Sequence, residues 1–385
     1  MNTTVLAGAG GYGLRHLREL LSLRDRVELV GLVDPSPSEQ ARRLAPGCPW
    51  YPSLAEALAA RPVDSVVIAT PPHTHFDLAR TAIGAGSSVY LEKPPVTLLR
   101  DLDELAALPA RRVEVGFQQA RTTVEALHRG WLALGAPEVE WIAAYGALSR
   151  PERYYHRGRW AGEWFLDGQA VLDGPLFNPL AHVVQAALLF ARRVQPSWAP
   201  ARVTAECFQA RRIGGDDTSA LRVTCARGLS VLAVGTTATD VVVPPAVLVR
   251  TAAGELHVTD GGRRVLANVP VLPAPEPVPA LHRAVTDPRG EADPLLSLAS
   301  ARDFVLTANA AVQVARTPSP VPATPRPSTR DGLPVVQVDG LGRLVSACAR
   351  RGALLSEVDP AWAGSARSLL LDGYAGLVHP ELALA

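Results

Sequence analysis

The stretch that decides the fold is Val5-Leu6-Ala7-Gly8-Ala9-Gly10-Gly11-Tyr12-Gly13, near the start of the chain. An apolar run typical of a strand leads into the spacing G-x-G-x-x-G, and a helix-forming sequence follows. In this pattern Gly8 makes the tight turn, Gly10 lets the backbone approach a pyrophosphate, and Gly13 lets helix and strand pack closely. The helix N-terminus offers unpaired N–H groups to the phosphates. The spacing therefore predicts a dinucleotide site formed by Gly8, Gly10, Gly11, Tyr12 and Gly13.

An acidic residue ends the second predicted strand. Asp34 lies 21 residues after Gly13, where a carboxylate bonds the ribose hydroxyls of adenosine. It would repel a 2′-phosphate, so the sequence favours NAD, although Arg42 and Arg43 leave the use of NADP open. The alternative is a turn role, because Asp34-Pro35-Ser36-Pro37 is also good turn chemistry.

Strand and helix patterns alternate through the first 120 residues, which is typical of a parallel α/β domain. The predicted strands are Thr4–Ala7, Glu28–Val33, Ser65–Ala69, Ser88–Leu91 and Glu114–Gly116, and the predicted helices include Gly13–Leu23, Ser38–Leu44, Ser53–Ala60 and Phe76–Ala85. We expect a nucleotide-binding domain over residues 1–120 and an α+β domain over residues 121–385.

The second part of the chain has longer strand-like runs separated by glycine-rich turns. The runs are Arg202–Arg211, Thr218–Ala226, Leu229–Thr239, Ala246–Thr251 and Glu255–Thr259, and the turns include Gly214-Gly215-Asp216-Asp217 and Gly261-Gly262. This pattern predicts hairpins of an antiparallel sheet. Helices are predicted over Pro179–Arg192 and Val338–Arg351. Two proline-rich segments, Pro270–Pro279 and Thr317–Pro327, should be extended, as surface connections or as an arm on a partner subunit.

Length, composition and charge exclude several classes of protein. The chain has 385 residues, enough for two domains, and its 48% hydrophobic content is too high for a disordered protein. A net charge of +1 argues against nucleic-acid binding. The four cysteines are far apart in sequence, so neither a disulfide framework nor a zinc site is indicated. Without a signal-peptide pattern or a long apolar run, we expect a soluble, cytoplasmic protein with no membrane contact.

A further loop is predicted at the end of the strand that begins at Ser65. It has the sequence Ala69-Thr70-Pro71-Pro72-His73-Thr74-His75. Since ligands bind at the carboxyl ends of parallel strands, we predict cofactor contacts from Thr70, Pro71, Pro72 and His75. No carboxylate or cysteine stands at a matching spacing to the two histidines, so no metal is predicted.

The composition conceals one unusual residue. Of the 38 basic residues, 37 are arginine, and the single lysine is Lys93. It lies in Ser88-Val89-Tyr90-Leu91-Glu92-Lys93-Pro94-Pro95, at the end of another predicted strand, where both Glu92 and Lys93 would reach the cofactor. A lysine amine beside the nicotinamide could exchange a proton with a substrate hydroxyl. The alternative is a surface lysine paired with Glu92.

Together, the glycine turn, the loop Ala69–His75 and Glu92-Lys93-Pro94 resemble the glucose–fructose oxidoreductase, inositol dehydrogenase and rhizopine-catabolism (Gfo/Idh/MocA) family. The resemblance implies a Rossmann domain followed by an open-faced antiparallel β-sheet domain. It also implies NAD(P)-dependent oxidation or reduction of a sugar or polyol, with Lys93 as the acid/base residue. The second-domain motif of the family, an acid four residues before a histidine, falls on Asn178 and His182. The acid is missing, and an amide cannot exchange a proton at neutral pH.

Asn178 and His182 therefore have two interpretations each. Asn178 precedes a proline at the start of an apolar-periodic run, so it could cap the helix, contact substrate, or do both. His182 lies one turn further along the same helix face, where an imidazole suits proton transfer, and the alternative is a buried structural histidine.

A cluster of aromatic and basic residues precedes this helix in a chain that is 5% aromatic. The cluster is Tyr154-Tyr155-His156-Arg157-Gly158-Arg159-Trp160, followed by Trp164. Aromatic faces beside polar donors suit a sugar ring, so Tyr154, Tyr155 and Trp160 are predicted substrate contacts. A subunit or domain interface is the alternative.

The sequence predicts an NAD(P)-dependent oxidoreductase that acts on a carbinol carbon of a sugar, aminosugar or cyclitol. Two other functions stay open at this point. One is a glycosidase or epimerase that oxidises its substrate transiently, without net redox. The other is a non-enzymatic, dinucleotide-dependent sensor or binding protein, which the missing acid at Asn178 would suit. We also expect a homo-oligomer that pairs through the open sheet around Val203–Thr239.

Overall fold

The computed structural model describes residues 1–259, 279–364 and 366–378, which form two compact units. The first unit comprises Met1–Val96, Arg100–Gln118 and the described residues of 279–302. The second comprises Thr97–Leu99 and the described residues from Gln119 and from Asp303 onward. Unlike the predicted domain 1–120, the first unit therefore also takes in a late segment of the chain. The domain boundaries stay a prediction.

The first unit is built on a six-stranded parallel sheet with the strand order β3-β2-β1-β4-β5-β6. Its strands are β1 (Asn2–Ala7), β2 (Val27–Val33), β3 (Trp50–Tyr51), β4 (Ser65–Ile68), β5 (Ser88–Leu91) and β6 (Val113–Val115). The helices along this part of the chain are α1 (Gly13–Ser22), α2 (Glu39–Leu44), α3 (Leu54–Ala60), α4 (His75–Gly84) and α5 (Leu99–Ala107). This is the predicted α/β fold with the strand order of dinucleotide-binding sheets.

Local sequence explains these elements. Every residue of β4 and β5 is buried, as expected for short apolar strands covered on both faces. Helices α2 and α3 begin where Ser38 and Ser53 accept hydrogen bonds from backbone N–H groups of the first turn. The carboxyl ends of β1, β2, β4 and β5 lead into the glycine turn, Asp34, the Thr70 loop and Lys93. The parallel sheet thus brings these residues to one edge.

The second unit contains most of the remaining elements. They are α6 (Gln118–Ala133), β7 (Val139–Ser149), α7 (Glu152–Tyr155), β8 (Phe165–Leu166), β9 (Gln169–Ala170), α8 (Ala181–Val194), β10 (Arg202–Gln209), β11 (Thr218–Thr224), β12 (Ser230–Thr236), β13 (Ala238–Thr251) and β14 (Gly254–Thr259). Later come α9 (Ala280–Thr286), which returns to the first unit, α10 (Arg302–Ala315), β15 (Ser319–Pro320), β16 (Arg326–Arg330), β17 (Leu333–Gln337), α11 (Leu341–Arg351), α12 (Leu355–Val358) and β18 (Arg367–Leu370).

An eight-stranded sheet organises the second unit. Its order is β14-β13-β7-β12-β11-β10-β15, and β18 also pairs with β10. The predicted hairpins between β10, β11 and β12 are confirmed as antiparallel pairs. The sheet is mixed rather than purely antiparallel, because β12 runs parallel to β7 and β15 runs parallel to β10. The predicted α+β class of this part is confirmed.

Helices pack on both sides of the central strands of this sheet. On one face, α11 and Trp362 bury Tyr145, Leu232 and Leu248 in a shared core. On the other, α8 contacts β7, β12 and β13. The predicted pairing of two chains through this sheet stays a prediction. The sequence pattern located these helices but not the face that they cover.

The structure also bears on several other predictions. The segment Thr317–Pro327 is extended, since it contains β15 and the start of β16. Gly261-Gly262 and nearly all of Pro270–Pro279 lie outside the described residues. All four cysteines are free thiols; Cys48 is half-buried and the other three are buried. No helix in the described ranges is both long and apolar enough to cross a membrane.

Candidate functional site

The glycine turn connects β1 to α1 and is shaped by steric contacts. Gly8 has φ +86°, and a Cβ added there would lie 2.6 Å from the carbonyl oxygen of Ala69. A Cβ on Gly13 would lie 1.9 Å from the carbonyl oxygen of Gly8. Both contacts are with backbone, which cannot move aside easily. Gly8 and Gly13 are therefore required by the turn itself.

The outer part of the turn has the geometry that a pyrophosphate needs. A Cβ on Gly10 would meet no atom within 4 Å, so the protein's own packing does not require glycine there. Helix α1 has no side-chain hydrogen bond at its N-cap, Tyr12, and no acidic residue in its first turn. The positive end of the helix dipole lies at this turn and favours an anion there. These residues fit a dinucleotide phosphate.

Asp34 follows β2 and is tied to the same turn. One oxygen of its carboxylate accepts a hydrogen bond from Ala9 N at 3.0 Å, and the other accepts from Ser36 N at 2.9 Å. The second bond is the predicted turn role, and the first places the acid beside the glycine turn. Of the nearby arginines, Arg43 is paired with Glu39, and Arg42 stacks on Trp50 at 5.7 Å.

The loop after β4 is fixed by a buried histidine. The His75 ring is 1% exposed, and its nitrogens lie 2.8 Å from the Pro94 carbonyl oxygen and 2.9 Å from that of Thr70. Burial lowers the pKa of this imidazole. His75 therefore joins the loop Thr70–Thr74 to the loop that follows β5, a positioning role. Among the described residues, no three His, Cys, Asp or Glu side chains form a group that could hold a metal ion.

Lys93 stands in a loop that is anchored through Glu92. The peptide bond between Lys93 and Pro94 is cis. Glu92 is 8% exposed; one of its oxygens accepts a hydrogen bond from Lys93 N at 3.1 Å, and the other lies 2.8 Å from His16 Nε2. His16 belongs to α1, so Glu92 connects the backbone of Lys93 to the helix that begins at the glycine turn.

His16 is a buried cation in this network. Its Nδ1 lies 3.8 Å from a carboxylate oxygen of Glu19. Burial alone would lower its pKa, but the carboxylates of Glu19 and Glu92 outweigh burial and raise the pKa to about 9. A protonated His16 balances the charge of Glu92 beneath the glycine turn. His16 was not among the residues predicted from the sequence, although it lies three residues after Gly13 on the buried face of α1.

The second unit contains a cluster centred on Asp173, a residue that is 5% exposed. Its Oδ2 accepts hydrogen bonds from Gly162 N at 2.7 Å and from Arg157 at 3.1 Å. Its Oδ1 accepts from the Asn178 amide at 2.8 Å. Asn178 also donates to the hydroxyl of Tyr154 at 3.3 Å. A buried carboxylate thus holds three separate parts of the loops before α8.

The predicted capping role of Asn178 is wrong. Helix α8 begins at Ala181 with Leu180 as its N-cap, and no side chain caps it. Leu180 N instead bonds to the Pro175 carbonyl oxygen, so a turn precedes the helix and delays its start beyond the predicted Pro179. The Asn178 amide points to Asp173. His182 lies in the first turn of α8 and is partly exposed, whereas the next nine helix residues are buried.

The aromatic residues of this region are stacked with arginine. The Arg157 guanidinium lies 3.6 Å from the Tyr154 ring centroid and 4.3 Å from that of Trp160. Tyr155 bonds through its hydroxyl to Thr237 at 2.6 Å. Burial is the main cause that raises the pKa of Tyr154 to about 12. Tyr154 is therefore a neutral hydroxyl near neutral pH, able to donate and accept hydrogen bonds.

Asp216 lies against the same cluster. Its carboxylate accepts a hydrogen bond from Trp164 Nε1 at 2.8 Å, and a Cβ on Gly174 would lie 2.4 Å from its Oδ1. Burial raises the pKa of Asp216 to about 7. A small cavity here is lined by Tyr154, Tyr155, Gly162, Asp173, Gly174, Pro175, Pro179, Asp216 and Thr237.

The first unit can be assigned by comparison with a known family. Residues 3–117 match the Gfo/Idh/MocA model, which describes an oxidoreductase family with an NAD-binding Rossmann fold. This part of the chain is similar to the Gfo/Idh/MocA family. The match contains the glycine turn, Asp34, the Thr70 loop and Glu92-Lys93-Pro94, so the cofactor predicted from these residues, NAD(P), is confirmed for this part of the chain.

Individual relatives agree with this assignment. The chain is 37% identical over 180 residues to an oxidoreductase subunit assigned to UDP-kanosamine synthase of Amycolatopsis mediterranei, covering 45% of this chain and 47% of that protein. It is 34% identical over 158 residues to inositol 2-dehydrogenase 4 of Saccharopolyspora erythraea, covering 38% and 46%. The matched region thus spans about half the length of these relatives.

A solved structure extends the likeness to more of the chain. The WlbA dehydrogenase from Bordetella pertussis, in complex with NADH and UDP-GlcNAcA, matches with a TM-score of 0.65. The match covers 80% of this chain and 94% of that chain at 24% identity. At this identity the likeness shows the fold, and it extends beyond residues 3–117.

Asp173, like His16, was not among the site residues predicted from the sequence. The Gfo/Idh/MocA motif directs attention to the position four residues before His182, which holds Asn178. Asp173 is the carboxylate nearest to Asn178 along the chain, and that proximity was the only available signal. No regular element spans residues 171–180, so no periodicity indicates that the two side chains meet.

Proposed function

We propose that this protein is an NAD(P)-dependent oxidoreductase that transfers a hydride between the nicotinamide and a carbinol carbon of a sugar, aminosugar or cyclitol. The observation that carries the proposal is the position of Lys93, directly after β5, at the sheet edge that holds the glycine turn of an NAD-binding domain. Relatives named for UDP-kanosamine synthesis and inositol oxidation support the substrate class.

The first unit would hold the cofactor through backbone and one carboxylate. The turn from Gly8 to Gly13 would take the pyrophosphate, and Asp34 would accept hydrogen bonds from the adenosine ribose. Because Asp34 repels a 2′-phosphate and Arg43 is already paired with Glu39, NAD is the preferred form. When bound, the cofactor supplies the hydride acceptor or donor.

Lys93 would handle the proton. Oxidation of a carbinol releases a hydride from carbon and a proton from the hydroxyl oxygen. An amine can accept that proton and return it in the reverse reaction, whereas arginine, with a pKa above about 12, cannot. The bond from Lys93 N to Glu92, and the contact of Glu92 with His16, hold the backbone from which this amine extends.

Residues of the second unit would bind the substrate. We assign this role to Tyr154, Tyr155, Trp160, Asn178 and His182. The stack of Arg157 on Tyr154 and Trp160 orders two aromatic side chains that can cover apolar faces of a sugar ring. Asn178 would orient a substrate hydroxyl, and His182 would assist proton transfer.

The test uses two replacements of the single lysine. Lys93→Met removes the amine and Lys93→Arg keeps only the charge, and each should lower kcat by roughly 10²- to 10⁴-fold, the usual contribution of a general acid or base. NADH binding, measured by fluorescence titration, should persist in both. Arg100→Met, at an exposed basic residue of the same unit, is the matched control. Unchanged turnover in Lys93→Arg would remove Lys93 from the mechanism.

A panel of sugars, aminosugars and cyclitols, each tested with NAD and NADP, distinguishes the other functions. Net formation of NADH would contradict a glycosidase or epimerase that returns the hydride to its substrate. Product formation without net NADH would favour that closed cycle over the proposed function. Ligand binding without any product would favour a sensor.

A further inference from the structure

The cluster around Asp173 provides a carboxylate that the sequence motif lacks. The position four residues before His182 holds Asn178, whose amide cannot release a proton. Asp173 lies five residues earlier, and its Oδ1 is 2.8 Å from Asn178 Nδ2. Position 178 therefore has no carboxylate of its own, but the carboxylate of Asp173 is in contact with its side chain.

Asp173 is itself held rigidly. Its other oxygen accepts hydrogen bonds from Gly162 N at 2.7 Å and from Arg157 at 3.1 Å. Arg157 is fixed in turn by the rings of Tyr154 and Trp160 and by a bond to the Tyr154 carbonyl oxygen at 2.6 Å. Charge-assisted bonds of this kind are stronger and more directional than neutral ones. The carboxylate can therefore impose an orientation on a neighbouring amide.

The orientation of Asn178 follows from these contacts. Its Nδ2 donates to Asp173 and to the Tyr154 hydroxyl, so both contacts use the donor side of the amide. The planar amide then turns its Oδ1 away from Asp173. That oxygen is an acceptor, the type of atom that orients a hydroxyl or an ammonium N–H.

We propose that Asp173 is a positioning residue, which fixes the Asn178 amide so that its Oδ1 acts as an acceptor in the substrate site. This inference rests on the proposed function. The pair Asp173–Asn178 supplies orientation and negative charge, while proton transfer is left to Lys93 and His182. An amide at position 178 is thereby compatible with an active enzyme.

Kinetic analysis of Asp173→Asn tests the role. This near-isosteric change removes the charge and allows the facing amides to reorient, so kcat should fall by about 10²-fold, as misplacement of a reacting group commonly causes. The Kd of NADH should stay unchanged. Asp167→Asn is the matched control, since Asp167 forms an exposed pair with Arg159 in the same region and its replacement should leave kcat unaltered.

A swapped pair separates positioning from folding. In Asp173→Asn combined with Asn178→Asp, one amide and one carboxylate still face each other. We expect at least a tenfold recovery of kcat over Asp173→Asn, and an added acidic limb in the pH profile of kcat because a carboxylate now faces the substrate. A merely structural pair would recover thermal stability without this new limb, and that result would overturn the inference.

The side-chain amide resonance of Asn178 gives a readout that does not depend on turnover. In ¹⁵N-labelled protein it is identified by its loss in Asn178→Asp. In Asp173→Asn this resonance should move upfield, because its carboxylate acceptor is lost. A resonance that does not move overturns the inference whether or not any substrate is found. Absence of turnover in the unmodified protein across the panel would instead overturn the proposed function.

Discussion

The two units assemble their functional groups in different ways. In the first, Gly8, Asp34, Thr70 and Lys93 each follow the carboxyl end of a parallel strand, and the sheet brings them to one edge. In the second, the cluster around Asp173 is assembled from loops and turns before α8. The first arrangement is a consequence of topology, whereas the second depends on individual hydrogen bonds.

This difference decides how each region should respond to mutation. A strand end is positioned by a ladder of backbone bonds, so a side chain that does not press on the backbone can change there without moving its neighbours. A loop cluster lacks such a ladder, and removal of its central charge affects every partner. The following experiments test the contrast, beginning with the change that should have the largest effect.

The glycine turn is where backbone sterics should dominate. Gly13→Ala would place a methyl group 1.9 Å from the Gly8 carbonyl oxygen, so strand and helix must separate. We expect a loss of roughly 3 kcal/mol or more in the free energy of unfolding and weak NADH binding, because overpacking against backbone cannot relax locally. Thermal unfolding without cofactor and fluorescence titration with NADH measure the two effects.

Two other glycines of the first unit serve as controls for this prediction. Gly10→Ala meets no protein atom, so it should leave the unfolding temperature unchanged while it weakens NADH binding. Gly84→Ala, near the end of α4, is equally free of contacts and should alter neither property adversely. If Gly13→Ala and Gly10→Ala were equally stable, the steric account of the turn would be wrong.

The parts of the fold that could be predicted from sequence are those with short-range rules. Apolar runs and their punctuation located β5 as Ser88–Leu91 without error and placed the end of β2 at Val33, directly before Asp34. Once the strands are parallel, their ends must share an edge, so the positions of Lys93 and Gly8 follow. The glycine spacing predicted the turn from Gly8 to Gly13.

The remaining features depend on contacts that no local pattern encodes. Residues 174–180 form turns before α8, which begins at Ala181. Asn178 therefore does not cap the helix, and its side chain bonds to Asp173 instead. The sequence predicts α11 as a helix, but only tertiary packing shows that it shares a core with the large sheet. The burial of His16 could have been predicted, because helical periodicity places it with Leu17 and Leu20 on the buried face of α1.

The second unit should reveal its buried carboxyl group through pH. Burial raises the pKa of Asp216 from 3.8 to about 7, so the folded state favours the neutral acid. Its contribution to stability is complete below about pH 4 and is lost as the pH rises through 7, by at most about 1.4 kcal/mol for each pH unit. Urea unfolding across this range should show the decline.

Asp216→Asn assigns that dependence to a single group. The amide oxygen can still accept the bond from Trp164 Nε1 but does not titrate, so the decline between about pH 4 and about pH 7 should become shallower. Asp167→Asn, at an exposed carboxylate, should leave the slope unchanged. Parallel curves for the unmodified protein and Asp216→Asn would show that the carboxyl ionises as freely in the folded chain as in the unfolded one.

The first unit should show a smaller effect of the same sign in a more alkaline range. The carboxylates of Glu19 and Glu92 raise the pKa of His16 to about 9 against the opposing effect of burial, so the folded state favours the cation. This stabilisation is complete below about pH 6.5 and is lost as the pH rises through 9. His16→Gln should abolish the loss, as measured by urea unfolding. His128 is the control, because no carboxylate contributes to the shift of its pKa. His128→Gln should therefore keep the loss of stability. If the decline persists in His16→Gln, it does not arise from the contact between His16 and Glu92. The backbone of Lys93 would then be held by its own loop alone.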